Sequence, residues 1–173
     1  MPYNRHRILI EVASILLLCL FSSNCKAQRL AVHTNAVSWG VLSPNIGIEL
    51  ALSRHSSVSI EASALPWNIN DKYSVSHITV SPDYKYWFTM PFFGHFAGAN
   101  ILYSTYERVI NSKSTVGKMV AAGAKYGYSL ILSKRWNLVP TVGVGVGINR
   151  VNGKNEFLII PTKIGVNIQM VVR

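Results

Sequence analysis

The chain has 173 residues, with 17 Lys and Arg against 7 Asp and Glu, a formal net charge of +10. Hydrophobic residues make up 49% and charged residues 14%, about half the charged share of ordinary soluble domains. That balance excludes a disordered chain and argues against a basic cytosolic domain, and two cysteines exclude a disulfide framework or a Cys-rich zinc module.

The N-terminus reads as an export signal. Arg5 and Arg7 supply the positive start, and Ile8 to Ser23 is apolar except for Glu11. Cys25-Lys26-Ala27 then places small residues where a signal peptidase reads them. The expectation is a helical signal peptide over 1–27, cleaved before Gln28, and one domain over 28–173. The apolar run is short of the roughly 20 residues of a spanning helix. Ser22-Ser23-Asn24 lacks the Leu and the small residue that would make Cys25 a lipidation site. Cleavage removes Arg5, Arg7, Lys26 and Glu11, which lowers the net charge from +10 to +8. It also removes Cys19 and Cys25, leaving no thiol for catalysis, metal or disulfide.

Beyond the signal, apolar and polar residues alternate with period two, the signature of half-buried strands. Residues 30–39 predict a first strand. Residues 45–52 and 57–65 predict the next two, with Glu49 and Glu61 on their polar faces. In 77–90, Ile78, Val80, Tyr84, Tyr86, Phe88 and Met90 alternate with His77, Thr79, Ser81, Asp83, Lys85 and Thr89. Residues 92–104 predict a strand of less clear phase. In 119–132, Val120, Ala122, Ala124, Tyr126, Tyr128, Leu130 and Leu132 oppose Gly123, Lys125, Gly127 and Ser129. In 136–149, Leu138, Val142, Val144, Val146 and Ile148 oppose Asn137, Thr141, Gly143, Gly145, Gly147 and Asn149. The last strand, 157–173, sets Ile160, Thr162, Ile164, Val166, Ile168, Met170 and Val172 against Lys163, Gly165, Asn167 and Gln169.

A soluble barrel would turn the apolar faces inward, and a membrane barrel turns them outward. The polar faces here carry mostly Gly, Ser, Asn and Thr, which suit a narrow lumen better than a water-exposed surface. Trp39, Trp67, Trp87, Phe88, Phe92, Phe93, Tyr103, Tyr106 and Trp136 cluster near strand ends, as interfacial girdles do. The expected fold is therefore all-β: an eight-stranded antiparallel up-and-down transmembrane β-barrel, preceded by the helical signal peptide. With the N-terminus in the periplasm, short turns at 53–56, 89–91 and 133–135 are periplasmic. Longer polar loops at 66–75, 106–117 and 150–156 are external, and only the first external connection, 43–45, is short. The chain ends on Val171-Val172-Arg173, where many such barrels end on an aromatic residue.

PNIGIEL (44–50), LPWNIN (65–70), PDYKYWF (82–88), GHFAGAN (94–100), KYGYSLILSKRWNL (125–138) and VGVGVGINR (142–150) together resemble a known family. It is the small outer-membrane β-barrel family of unknown function common in the phylum Bacteroidota. LSKRWNL after a tyrosine-rich strand is the most specific element. The resemblance covers nearly all of residues 28–173 and implies an OmpA/OmpX-like barrel. It implies no catalytic or ligand residues. His33-Thr34-Asn35 stands where members often have Lys-Thr-Asn.

Glu49, Glu61, Asp83, Lys85, Lys125 and Lys163, with His33 as a further candidate, fall on the lumen side. Unpaired charges in a narrow lumen are costly, so a paired polar network is expected, with a charged ion path as the alternative. A lipid-modifying enzyme needs a Ser–His–acid site toward the outer leaflet. His55 and Ser57 fall at a periplasmic turn and His95 near a periplasmic end. His77 has no obvious acid, and Asp71 lies in a loop. The Gly143-Val-Gly-Val-Gly run sits inside a strand, so it is not a dinucleotide fingerprint; its glycines let the strand pack closely. The outer basic residues Lys72, Arg108, Lys113, Lys118, Arg150 and Lys154 are candidates for contact with lipid headgroups. No basic cluster interleaved with aromatics points to nucleic acid.

The expectation is a non-enzymatic outer-membrane protein of a Gram-negative bacterium, with a structural or surface-interaction role. A small pore or lipid-ligand barrel is the alternative, and a lipid-modifying enzyme ranks third. Its expected partners are outer-membrane lipids, lipopolysaccharide, the barrel-insertion machinery and a surface-assembly protein, with no metal or cofactor.

Overall fold

Each alternating segment forms a strand. The computed structural model describes residues 30–65, 68–70, 73–110, 113–151 and 154–172. The expected signal peptide, Trp67, Asp71 and Lys72 lie outside them. The strands are β1 (Leu30–Asn35), β2 (Asn45–Ala51), β3 (Ser56–Leu65), β4 (Asn68–Asn70), β5 (Tyr73–Trp87), β6 (Gly94–Ile110), β7 (Lys113–Ile131), β8 (Trp136–Val151) and β9 (Lys154–Val172). A short helix, α1 (Ala36–Gly40), follows β1. Neighbours in sequence pair antiparallel except β3 and β4, which both pair with β5, and β1 pairs with β9. Eight strands thus close an up-and-down ring, and β4 only pairs with the start of β5, beyond the end of β3.

Burial is inverted. Polar residues fill the interior, among them Glu49, Ser57, Asp83, Lys125 and Gln169. Large apolar side chains stand on the outside, as with Ile46 at 62%, Val142 at 62% and Ile159 at 74% exposure. A soluble fold would bury these groups, whereas a barrel in lipid puts them against hydrocarbon. From β7 into the residue that follows it, the outward apolar positions run from Val120 to Leu132. At ~3.3 Å per residue and a tilt near 40°, that is a band about 30 Å tall, close to a membrane's apolar thickness. Among the described residues no helix is long and apolar enough to cross a membrane.

The structure departs from the expected pattern in four places. The first strand stops at Asn35, not 39, because the Asn35 side chain accepts the Val37 N–H at 3.1 Å and caps α1. The segments expected as long loops are largely strand: β6 runs to Ile110, and β7 to β9 extend from the same end. Beyond the membrane both faces of a sheet can meet water, so polar residues there still pair. In β9, Gly143 pairs with Lys163 and Val144 with Pro161, leaving Thr162 as an extra residue. This bulge turns both Thr162 and Lys163 inward, so Thr162 leaves the lipid face where simple alternation put it, and Ile160 faces inward beyond it. Finally, Trp87 and Phe92 are interior plugs and not girdle residues, and Tyr106 reaches inward to donate to Asn149 Oδ1 at 2.9 Å. Trp39, Phe88, Phe93, Tyr103 and Trp136 do stand exposed on the outside.

The glycines of β8 answer a packing need. Gly145 lies opposite Gly123, and a Cβ on Gly145 would collide with the backbone carbonyl of Ala122. The bare backbone lets β7 and β8 curve tightly around a filled lumen.

Candidate functional site: a filled lumen

The interior is stacked in layers from the end with short turns toward the end with long strands. The first layer is aromatic. Trp87 and Phe96 are fully buried, with ring centres 4.7 Å apart, and Phe92 lies 6.1 Å from Trp87. Phe92 comes from the turn between β5 and β6 and holds a φ of +69°, a strained conformation for a bulky side chain. Ser129 Oγ and Asn137 Nδ2 hold it there by donating to its carbonyl at 2.8 and 2.9 Å.

The second layer centres on Glu49, which is 0% exposed. Ser57 Oγ donates to its Oε1 at 2.5 Å, while Lys85 Nζ at 2.5 Å and Gln169 Nε2 at 2.9 Å donate to Oε2. Ser57 also accepts the Trp87 Nε1–H at 2.8 Å, which ties this layer to the aromatic one. The Lys85 ammonium lies 5.2 Å from the Phe96 ring centre and 5.9 Å from that of Trp87, within cation–π range.

The third layer pairs Lys125 Nζ with Asp83 Oδ2 at 2.8 Å, and Ser59 Oγ donates to the same oxygen at 3.0 Å. In the fourth, Glu61 accepts from Lys163 at 2.7 Å and Asn45 at 3.0 Å, and His33 Nε2 lies 3.3 Å from its Oε2. Thr162 Oγ1 donates to Asn100 Oδ1 at 3.1 Å beside this layer. Above it lies a vestibule of about 210 Å³ lined by Asn35, Ser81, Thr162 and the Glu61–Lys163 pair together with apolar Leu102 and Ile164.

The six charges read from sequence thus come together as three acid–lysine pairs, with His33 in contact with one of them. A buried pair stabilises little compared with an apolar filling, because desolvation offsets attraction. Its consequence is conditional: once both charges are inside, each needs the other. Sequence reading missed the neutral partners Ser57, Asn45, Asn100 and Thr162, because their roles depend on cross-strand register. Three buried polar atoms, His33 Nδ1, Asn167 Oδ1 and Gln169 Oε1, have no hydrogen-bond partner among the described residues.

A cavity of about 660 Å³ lies on the outside. It is an apolar groove running between Trp39 and Trp136 over Val32, Ile46, Ile168 and Met170. The Trp39 indole N–H is satisfied by Thr34 Oγ1 at 2.7 Å.

Among the described residues, those weighed for catalysis do not assemble. Ser57 is committed to Glu49 and Trp87, while His55 is exposed and stacks on Tyr86. His95 is outside the barrel, bonded through Nδ1 to the Tyr126 hydroxyl at 2.6 Å. His77 Nε2 does meet Ser43 Oγ at 3.1 Å, a contact sequence reading missed, but Ser43 is buried. No carboxylate orients His77 among the described residues.

The outer basic residues fall into two sets. Lys118 pairs directly with Arg150 on the outward face, while Arg108 and Lys154 take the opposite face of the extended sheet. Lys72 and the Lys113 side chain lie outside the described residues.

Fold and lumen together define an eight-stranded, inverted β-barrel with a packed interior. The chain belongs to the family described as Protein of unknown function (DUF3575), which matches residues 13–170. No curated protein matches it. Among solved structures it is similar to Neisserial surface protein A, at 12% identity and a TM-score of 0.46, over 83% of this chain and 94% of that one. LSKRWNL and its companion motifs implied a family of unknown function, and the match is to one.

Proposed function

We propose that this is a non-enzymatic, non-conducting outer-membrane protein of a Gram-negative bacterium, of the Bacteroidota type, with a structural or surface-interaction role. The observation that carries this reading is the pairing of Glu49, Asp83 and Glu61 with Lys85, Lys125 and Lys163 above an aromatic plug. A path for ions needs free charge or water along the axis, and here every one of these charges is held by a partner. The short-turn end would face the periplasm and the extended strands the exterior, which suits insertion by the barrel machinery and contact with lipopolysaccharide or a surface-assembly protein.

Planar-bilayer recording tests it. The refolded protein should insert without discrete openings, and stepwise conductance carried by most insertions would favour the pore reading instead. The Ser43–His77 contact is a feature that a lipid-modifying enzyme, the third reading, would use. That reading requires a mass shift of lipid A on overexpression, and none is expected.

A further inference from the structure

We propose that Lys118 and Arg150 form a binding site for the phosphate of an outer-leaflet lipid headgroup. The inference rests on the membrane-barrel reading and adds a defined ligand to it.

The two residues are directly opposite on β7 and β8. Like charges in such a pair repel and destabilise a sheet. Both are exposed, and neither makes an ion pair among the described residues. Glu107, the acid on the same outward face, pairs across from Val116 and accepts from Ser114 at 2.7 Å. A dianionic group between Lys118 and Arg150 would turn the repulsion into two charge-assisted bonds. Thr105 pairs with Lys118 and Asn155 with Arg150, so neutral donors flank the cations in the same row.

Their position selects the source of the phosphate. Toward the membrane, the outward positions on β7 are Val120, Ala122 and Ala124, and on β8 Ile148, Val146 and Val144, all exposed. The cations are thus the first charged residues above the apolar band, where lipid phosphates sit. A soluble anion would have no use for that boundary, whereas a lipid engages both sides of it.

Native mass spectrometry of the detergent-solubilised barrel provides the test, with three probes: diphosphorylated lipid A, the same lipid dephosphorylated, and inorganic phosphate. Insertion into zwitterionic vesicles is checked first for every variant, because failure there overturns the barrel reading itself and this proposal with it. For inserted protein, lipid A should bind more tightly than its dephosphorylated form. The K118Q/R150Q variant should lose roughly tenfold in lipid A affinity, as expected for losing about 1.4 kcal/mol of charged contact. K134Q/R135Q, which removes the same charge at the opposite rim, should change it less than twofold. Equal loss in both variants, equal binding of the dephosphorylated lipid, or equally tight binding of inorganic phosphate would overturn the proposal.

Discussion

Glu49→Gln is expected to be among the most destabilising single-atom changes in this barrel. It leaves the size of the side chain unchanged but strands the Lys85 ammonium, which is buried and donates to Glu49 at 2.5 Å. Removing one partner of a buried pair typically costs about 3–5 kcal/mol. The amide nitrogen would also face donors, since Ser57, Lys85 and Gln169 all point their hydrogens at the carboxylate. Adding Lys85→Met removes the stranded charge and should restore most of the loss. Urea unfolding in lipid vesicles reads both variants. A Glu49→Gln barrel within 1 kcal/mol of wild type would mean that the pair is hydrated, not buried.

Trp87→Ala comes second. The indole is fully buried, packs on Phe92 and Phe96, and donates to Ser57. Losing a packed aromatic side chain costs about 3–5 kcal/mol. Trp87→Phe retains the ring contacts and loses mainly the N–H bond, so it should cost about 1 kcal/mol. The same urea titration ranks the two. A girdle tryptophan facing lipid would show a much smaller gap between them, so a gap below 1 kcal/mol argues against an interior Trp87. Because Ser57 bridges Trp87 and Glu49, the losses from Glu49→Gln and Trp87→Ala should not add.

The inverted barrel was legible because its alternation is nearly unbroken and its polar faces are too poor in charge for water. The lumen charges were legible for the same reason: a Glu or Lys on a face otherwise made of Gly, Ser, Asn and Thr stands out. Their partners were not, because Glu61 and Lys163 are 102 residues apart and meet only through the ring's closure. Simple counting also fails at Thr162, where a bulge shifts the phase. Pro161, which lacks a ladder donor, was the available signal. Trp87 shares its parity with Asp83 and Lys85, so period two already placed it inside; its nearness to a strand end suggested the girdle instead. The long strands beyond the membrane read as loops because water on both faces erases the alternation that marks a strand.

A nitroxide scan along β9 in lipid vesicles is the most direct test of an inverted barrel with this register. Residues 28–173 contain no cysteine, so single labels are clean. Oxygen concentrates in the hydrocarbon, so collision rates should peak at Phe157, Ile159, Pro161, Ile164, Val166 and Ile168. They should fall at Thr162 and Lys163 in succession, and again at Asn167 and Gln169. Peaks at Asn167 and Gln169, or an alternation that runs through Thr162 without a break, would contradict the structure described.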